Sequence, residues 1–442
     1  MNAPRLVATA LLTALALCGA DGLTQETKPS TDGAPPLPPN AARVNLREAG
    51  AKGDGVADDS AAIQVAINKA AENTVLYFPA GTYRLQSIEI TGKSGLEFVG
   101  DGHSSILQWT GAGLPDSYTK MMNFTGVSNL RIHKLAFDNK GINTFGGVGF
   151  YDMKNVTIQN TRFYDSARQE KITTDKYAYC FGQGGTPHEN ILMTDNLIQD
   201  LELEITHARR VRVLRNTIER PVWLGLCWAA HGPGTVLEDY EVVGNTISDP
   251  AAWALTFHSE ADGAHRVSGL RIADNVIRMN SPKRYGINVG NTQHMKDKGS
   301  VWEKIVIENN RIEYTPGYTI NELHAICVYR TPGDGTLDNV VVRNNTITSS
   351  GVLLNWAISA NCLKNSTISG NTVTGALHGL SITDGLQGNT VTKNSMEVTG
   401  TAYRFERSQG GNTVSGNVVA GKPKTPWVQS SVHATDSVDF GK

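Results

Sequence analysis

The chain has 442 residues, 40% of them hydrophobic and 19% charged, so it carries apolar content enough for a packed core and is not disordered by composition. Its 40 lysines and arginines face 42 aspartates and glutamates, a formal charge of −2. That balance excludes the basic footprint of a nucleic-acid binder and a polybasic membrane patch, so any recognition of charge must be local.

Residues 1–20 place a single basic residue, Arg5, ahead of an apolar run from Leu6 to Cys18, with small residues Cys18 and Ala20 where a signal peptidase reads them. The expected product is secreted or periplasmic. Lipid anchoring at Cys18 is the second reading, disfavoured because Leu17 is bulky where lipidation signals use a small residue. No later segment approaches the ~20 apolar residues of a membrane span. Residues 21–42 turn to Pro, Thr, Gly and Asp and read as a disordered linker.

Folding is expected to begin at residue 43. Asp58-Asp59-Ser60 supplies candidate helix caps before Ile63, Ala66, Ile67 and Ala70, whose spacing predicts one short amphipathic helix from Asp59 to Ala71. Strand-rich segments follow at Val75–Phe78 and Tyr83–Leu85, separated by Pro79-Ala80-Gly81.

From there one unit recurs: apolar-x-x-Asn-x-apolar, at Met193/Asn196/Ile198, Val213/Asn216/Ile218, Val242/Asn245/Ile247, Ile272/Asn275/Ile277, Ile307/Asn310/Ile312, Val342/Asn345/Ile347, Ile368/Asn371/Val373, Val391/Asn394/Met396 and Val414/Asn417/Val419. Ile158/Thr161/Phe163 and Ile132/Leu135/Phe137 are earlier variants without the asparagine. The asparagines are 20, 29, 30, 35, 35, 26, 23 and 23 residues apart, a short minimum unit with insertions. Hexapeptide helices, leucine-rich repeats and propeller blades do not tolerate that variation. A solenoid of three short strands per turn does, with asparagines stacking at the bend between strands. The expectation is an all-β, right-handed parallel β-helix of about ten or more coils spanning residues 43–420. The short helix plugs its N-terminal end, and residues 421–442 form a tail or cap over the other. Cys180, Cys227, Cys327 and Cys362 lack metal-site spacing and read as buried free thiols, with a disulfide as the alternative in an oxidising compartment.

The stretch Val44 to Leu85, with Gly50-Ala51-Lys52-Gly53-Asp54-Gly55, Asp58-Asp59-Ser60-Ala61-Ala62-Ile63-Gln64 and Phe78-Pro79-Ala80-Gly81-Thr82-Tyr83, resembles the opening of the pectate-lyase-like β-helix superfamily. The resemblance implies the fold, an extracytoplasmic carbohydrate substrate and a cleft along one sheet, but does not fix the reaction. The ordered motifs of the polygalacturonase-type hydrolases are missing; His378-Gly379-Leu380 and Thr383-Asp384-Gly385 imitate two of them inside one late coil. The Trp-x-Asp-His and Arg-x-Pro-x-x-Arg motifs of calcium-dependent pectate lyases are also missing, so no family residues carry over.

Strand alternation locates a site without them. With Leu203/Ile205, Leu255/Phe257, Ile287/Val289 and Ile326/Val328 inside, the residues facing out include Glu204, Thr206, Thr256, His258, Asn288, Cys327 and Tyr329, with Glu260 and Arg330 at strand ends. Elimination from a uronate needs a group that neutralises the carboxylate, a base for the adjacent C–H and an acid for the leaving oxygen. Asn288 and Arg330 are the expected carboxylate binders, with His258 or Tyr329 as base and Tyr329 as acid. Glu204, Glu260, Trp228 and Arg284 are expected to bind substrate; Trp223 and Trp253 are further stacking candidates. Lys283-Arg284-Tyr285 is a basic and aromatic set entering from the preceding loop.

The expected function is a polysaccharide lyase acting on an acidic, uronate-containing polymer, as a monomer without nucleic-acid partners. A glycoside hydrolase using Glu204 with Glu260, or Glu260 with Asp262, is the first alternative. An epimerase or a non-catalytic carbohydrate-binding solenoid is the next. Calcium is a possible cofactor through Glu204, Glu260 and Asp262, although no compact acidic loop specifies it.

Overall fold

A computed structural model describes residues 33–439, apart from 112–118, 143–145, 169–175, 183, 261, 281–284, 291–297, 316–323 and 351–353. Met1 to Ala20, Cys18 among them, and Lys283 and Arg284 lie outside the described residues.

The chain winds as a right-handed parallel β-helix, and among the described residues each strand pairs in parallel with its equivalent in an adjacent coil. One coil runs through Leu224–Ala230, Val236–Val243 and Thr246–Ser248; the next through Trp253–Ser259, Arg266–Ala273 and Val276–Met279. Third strands of the coils build a 14-stranded sheet, and the first and second strands join in one of 29.

The repeated asparagine explains the winding. In each bend the preceding residue takes a left-handed backbone conformation, at Asp195, Arg215, Gly244, Asp274, Asn309 and Asn344 among others, and swings the chain into its third strand. The asparagine is then buried where the backbone has left the sheet ladder. Asn245 shows what it does there: its Nδ2 donates to Val213 O at 2.9 Å and to Asn275 Oδ1 at 3.0 Å, while its Oδ1 accepts the backbone N–H of Asn216 at 2.8 Å. The same bonds repeat from Asn196 to Asn417, and Thr161 takes the first rung with its hydroxyl. Ser366, Asn389, Asn412 and Asp436 form a second ladder that the repeat pattern did not reveal.

A second regularity sits at the start of each first strand. Gly225, Ala254, Gly286, Ala325, Ala357 and Gly379 stand in one inward row, next to inward Leu226, Leu255 and their equivalents, so two successive residues face the core. Only small residues fit: a Cβ on Gly286 would lie 2.7 Å from Ala325 O and 3.0 Å from the Ile312 side chain. The break in alternation turns the row before it, which holds Trp253 and Tyr285, to the outside.

The helix spans Ser60–Lys69 and buries Ile63, Ala66 and Ile67 against the first coils. Asp59 does not cap it; its carboxylate accepts the backbone N–H groups of Lys52 and Gly53 at 2.6 and 3.0 Å instead. Gln64 bonds both backbone groups of Glu89, fixing the plug on the strand Ile88–Thr91.

Two boundaries differ from the sequence expectation. The end of the linker is ordered: Gly33 and Asn190 exchange two hydrogen bonds, Ala34 N–H donates to Thr157 Oγ1 at 2.8 Å, and Arg131 holds Ala34 O at 2.9 Å. Composition could not show this, because the docking partners come from remote coils. Residues after 420 do not cap the helix but continue it: Thr425–Ser430 pairs with Thr401–Glu406, and Trp427 stacks on Tyr403 at 4.9 Å.

Candidate functional site

The strand register brings the predicted residues into shared rows. Glu204, Cys227, Thr256, Asn288 and Cys327 are successive partners on the outer side of the first-strand sheet. His258 pairs with Ala229 one row along, and Gly290 with Tyr329 further down the same row. At ~4.8 Å per coil, His258 and Tyr329 are about 10 Å apart.

A hydrogen-bonded string crosses four coils here. Glu204 Oε1 bonds His231 Nε2 at 3.1 Å, and His231 Nδ1 bonds Glu260 Oε2 at 3.2 Å. Glu260 Oε1 bonds His258 Nε2 at 2.9 Å, and His258 Nδ1 meets Thr256 Oγ1 at 3.0 Å. Asn288 Nδ2 donates to Thr256 Oγ1 at 3.1 Å, and Asn288 Oδ1 is buried without a partner among the described residues. When His258 carries its proton on Nε2, Nδ1 accepts from the Thr256 hydroxyl and the whole string is directionally consistent.

Only part of the string is open. The Glu260 and His231 side chains keep 46% and 37% of their exposure, whereas those of Glu204 and His258 keep 6% each. The mouth therefore presents an imidazole and a carboxylate side by side, with a second imidazole behind the carboxylate. The hydrogen bonds to Glu204 and Glu260 push His231 up to about 10, against 6.5 for an ordinary histidine, so it is an imidazolium at neutral pH. The same bond from His231, then that from His258, holds Glu260 well below the usual carboxylate range.

The linkage gives a pH signature. The His231 contribution to stability is complete below pH 6.5 and is lost as pH rises towards about 10; the Glu260 contribution is present above pH 4.5 and lost as pH falls. The thermal midpoint should therefore decline on the alkaline side of pH 6.5, and His231→Gln should flatten that decline. An identical pH profile in the variant would show that the cluster does not carry it.

His231 was missed because the alternation reading stopped its strand at Cys227. Pairing Ala229 with His258 and Ala230 with Ser259 sets His231 beside Glu260, a match visible only once the two strands are aligned through Trp228 and Phe257.

Two expectations are corrected and one stays outside the described residues. Arg330 does not face the cleft: it is fully buried, its guanidinium bonded to the carbonyls of Ser300 at 3.0 Å, Asp334 at 2.9 Å and Thr336 at 3.3 Å, so it closes the turn that follows its own strand. Trp228 points inward, edge-on to Trp302 at 6.0 Å, and offers no face to a sugar. Trp228→Ala is accordingly expected to cost about 3–5 kcal/mol in chemical denaturation, a cavity effect. Tyr329 is partly exposed, but its hydroxyl makes no hydrogen bond among the described residues, and burial pushes its pKa up. It is not joined to His258. Arg284 is in the undescribed stretch.

Trp253 lies outside, its ring edge-to-face with His258 at 5.5 Å. The four cysteines are free and buried. Among the described residues no group of three His, Cys, Asp or Glu side chains converges as a metal site. No helix among them is long and apolar enough to cross a membrane.

Comparison with known proteins accords with this architecture. Residues 43–209 match the family described as rhamnogalacturonase A/epimerase, pectate lyase-like, and residues 219–425 the periplasmic copper-binding protein NosD. Mannuronan C5-epimerase AlgE2 of Azotobacter vinelandii is 30% identical over 182 residues, 36% of this chain and 17% of that protein. AlgE4 of the same organism is 28% identical over 189 residues, 36% of this chain and 31% of that protein. The matches thus span well under half of either relative. The family 28 exopolygalacturonase of Yersinia enterocolitica superposes with a TM-score of 0.52 over 90% of this chain and 80% of its own, at 13% identity, which is a likeness of fold. The chain has the pectate-lyase-like right-handed β-helix fold.

Proposed function

We propose that this pectate-lyase-like β-helix is an exported enzyme that removes the C5 proton of a uronate in a polysaccharide and cleaves the chain by β-elimination. The observation that supports the reading is the pairing at the mouth: a proton donor, His231, and an acceptor, Glu260, 3.2 Å apart with a second imidazole behind the acceptor. Glu260 takes the C5 proton, and the N–H that His258 donates from Nε2 holds its carboxylate in place. His231 delivers its proton to the departing O4 as the C4–O4 bond breaks and the C4–C5 double bond forms. His231 Nδ1 is then bare and Glu260 protonated, and the Glu260 proton returns to that nitrogen across their 3.2 Å contact, restoring both groups. Thr256 and Asn288 orient the His258 ring, acting through it.

Donor and acceptor on one side suit uronates whose H5 and O4 share a face of the ring, as in 4-linked mannuronate and glucuronate. In galacturonate the two groups are on opposite faces. The hydrolase alternative fits less well, because Glu204 is buried and both carboxylates are already bonded to His231, leaving neither free to reach a leaving oxygen.

Epimerisation at C5 is the second reading, favoured by the sequence similarity to mannuronan C5-epimerases. It shares the proton abstraction and differs in returning a proton to the opposite face. Incubation with polymannuronate, glucuronan and polygalacturonate separates the cases. Elimination yields ultraviolet-absorbing unsaturated ends from the first two; epimerisation changes the sugar ratio by NMR without cleavage. New reducing ends lacking ultraviolet absorbance, from polygalacturonate alone, would overturn both.

A further inference from the structure

The inward row of small residues leaves an outward row of rings: Trp253, Tyr285, His324, Trp356 and His378 follow one another in five successive coils. The first touches the acid–base string, through the Trp253–His258 contact. Tyr285 and His324 lie parallel at 5.4 Å, and Trp356 and His378 stack at 4.8 Å with 25° between planes. His324 Nδ1 also bonds Trp356 O at 3.0 Å, and His378 Nδ1 accepts the Thr401 N–H at 2.8 Å. Four of the five keep partial exposure; Tyr285 is at 9%.

Stacking of Tyr285 on His324 and of Trp356 on His378 covers one face of each of these four rings, so each turns an edge rather than that face to solvent. An edge is the positive side of an aromatic quadrupole, and here it carries indole, imidazole and phenol groups. Burial holds His378 below the usual histidine pKa, so the ring is a neutral hydrogen-bonding group. Alongside run Thr256, Asn288, Cys327, Ser359 and Ser381, a row without a formal charge. A surface of polarised C–H edges, imidazole nitrogens and the partly exposed Ser359 hydroxyl suits hydroxyls and well-spaced carboxylates. Its period, the ~4.8 Å between coils, is close to the advance of one pyranose in an extended 1,4-linked chain.

We propose that this ring ladder is a run of polymer-binding subsites that leads away from the acid–base string towards the C-terminal coils, one sugar per coil. The enzyme would then prefer chains long enough to reach Trp356 and His378, three and four coils beyond Trp253, about 14 and 19 Å away. The inference rests on the functional reading above for the identity of the sugars, but its test is separable from it.

Trp356→Ala and His378→Ala, with native circular dichroism, should lower the ratio of kcat/KM on polymannuronate to that on a mannuronate trisaccharide about tenfold. Retardation of the same variants in polymannuronate-containing affinity gels should fall in step. A wild type that is retarded but inert, with retardation lost in Trp356→Ala, would keep the ladder and remove the enzymatic reading. A wild type that turns the polymer over, with an unchanged ratio and unchanged retardation in both variants, would overturn the ladder alone. A wild type neither retarded by nor active on any uronate polymer would overturn both.

Discussion

Glu260→Gln should lower turnover of the preferred uronate polymer by at least about 100-fold, the lower range for loss of a general acid–base group, with the β-helix intact. The carboxylate accepts from two imidazoles at once, at 3.2 Å from His231 Nδ1 and 2.9 Å from His258 Nε2. A carboxamide keeps one acceptor atom and replaces the other by a donor, so one of those bonds must be lost or reversed. The group that takes the C5 proton is removed. His231 loses one of its two supporting anions, and its pKa should fall from about 10 towards that of an ordinary histidine while Glu204 still holds it partly raised. Imidazole titration by NMR reads that change independently of activity. A variant within tenfold of wild type on the polymer, with His231 titrating as before, would sink the assignment of the string as the reacting centre.

Asn275→Ala should destabilise the protein by about 3–5 kcal/mol, measured by denaturant unfolding. Asn275 is fully buried, and its Oδ1 accepts both the backbone N–H and the side-chain Nδ2 of Asn245 at 2.9 and 3.0 Å. Its own Nδ2 donates to Val242 O at 2.9 Å. Alanine leaves a backbone N–H, a backbone carbonyl and one amide hydrogen without partners in a bend that water does not reach, and each such loss costs about 1–3 kcal/mol. The rows on either side are damaged together, because each rung is hydrogen-bonded to the next. A change below about 1 kcal/mol would mean that the bends are held by the strands alone and that the asparagines are incidental.

The fold was legible because its driving pattern is local. Nine asparagines at one place in an apolar frame, each just after a bend, specify a rung whose partner is its own copy in the next coil, and variable spacing between them is what a coil with loops permits. Thr161 in the first rung shows that chemistry, an acceptor and donor at the bend, matters more than the residue letter. The helix was legible for a similar reason, from one apolar face.

The site was legible only in part. Alternation correctly turned Glu204, Thr256, His258 and Asn288 outward, since parity along a strand survives folding. It failed at strand ends. Arg330 follows an outward residue, but two carbonyls of the turn after it and that of Ser300 in the preceding coil draw the guanidinium back into burial. Trp228 has the parity of the core, and the weight given to an indole as a sugar platform overrode that parity. Trp253 has core parity too, yet stands outside, because the small residue after it takes an additional inward place.

By itself the sequence determined the period, the bend chemistry, the capping helix and the outward identity of most of the acid–base string. Those are set by neighbours within one turn of chain or by identical copies one coil away. Tertiary structure alone decided which outward groups became partners, that His231 sits between Glu204 and Glu260, and that only His231 and Glu260 remain open to solvent. These depend on the register between coils separated by insertions of unequal length. Hydrogen bonding reaches only about 3 Å, so a shift of one residue in that register would have dissolved the string while leaving every repeat unit unchanged.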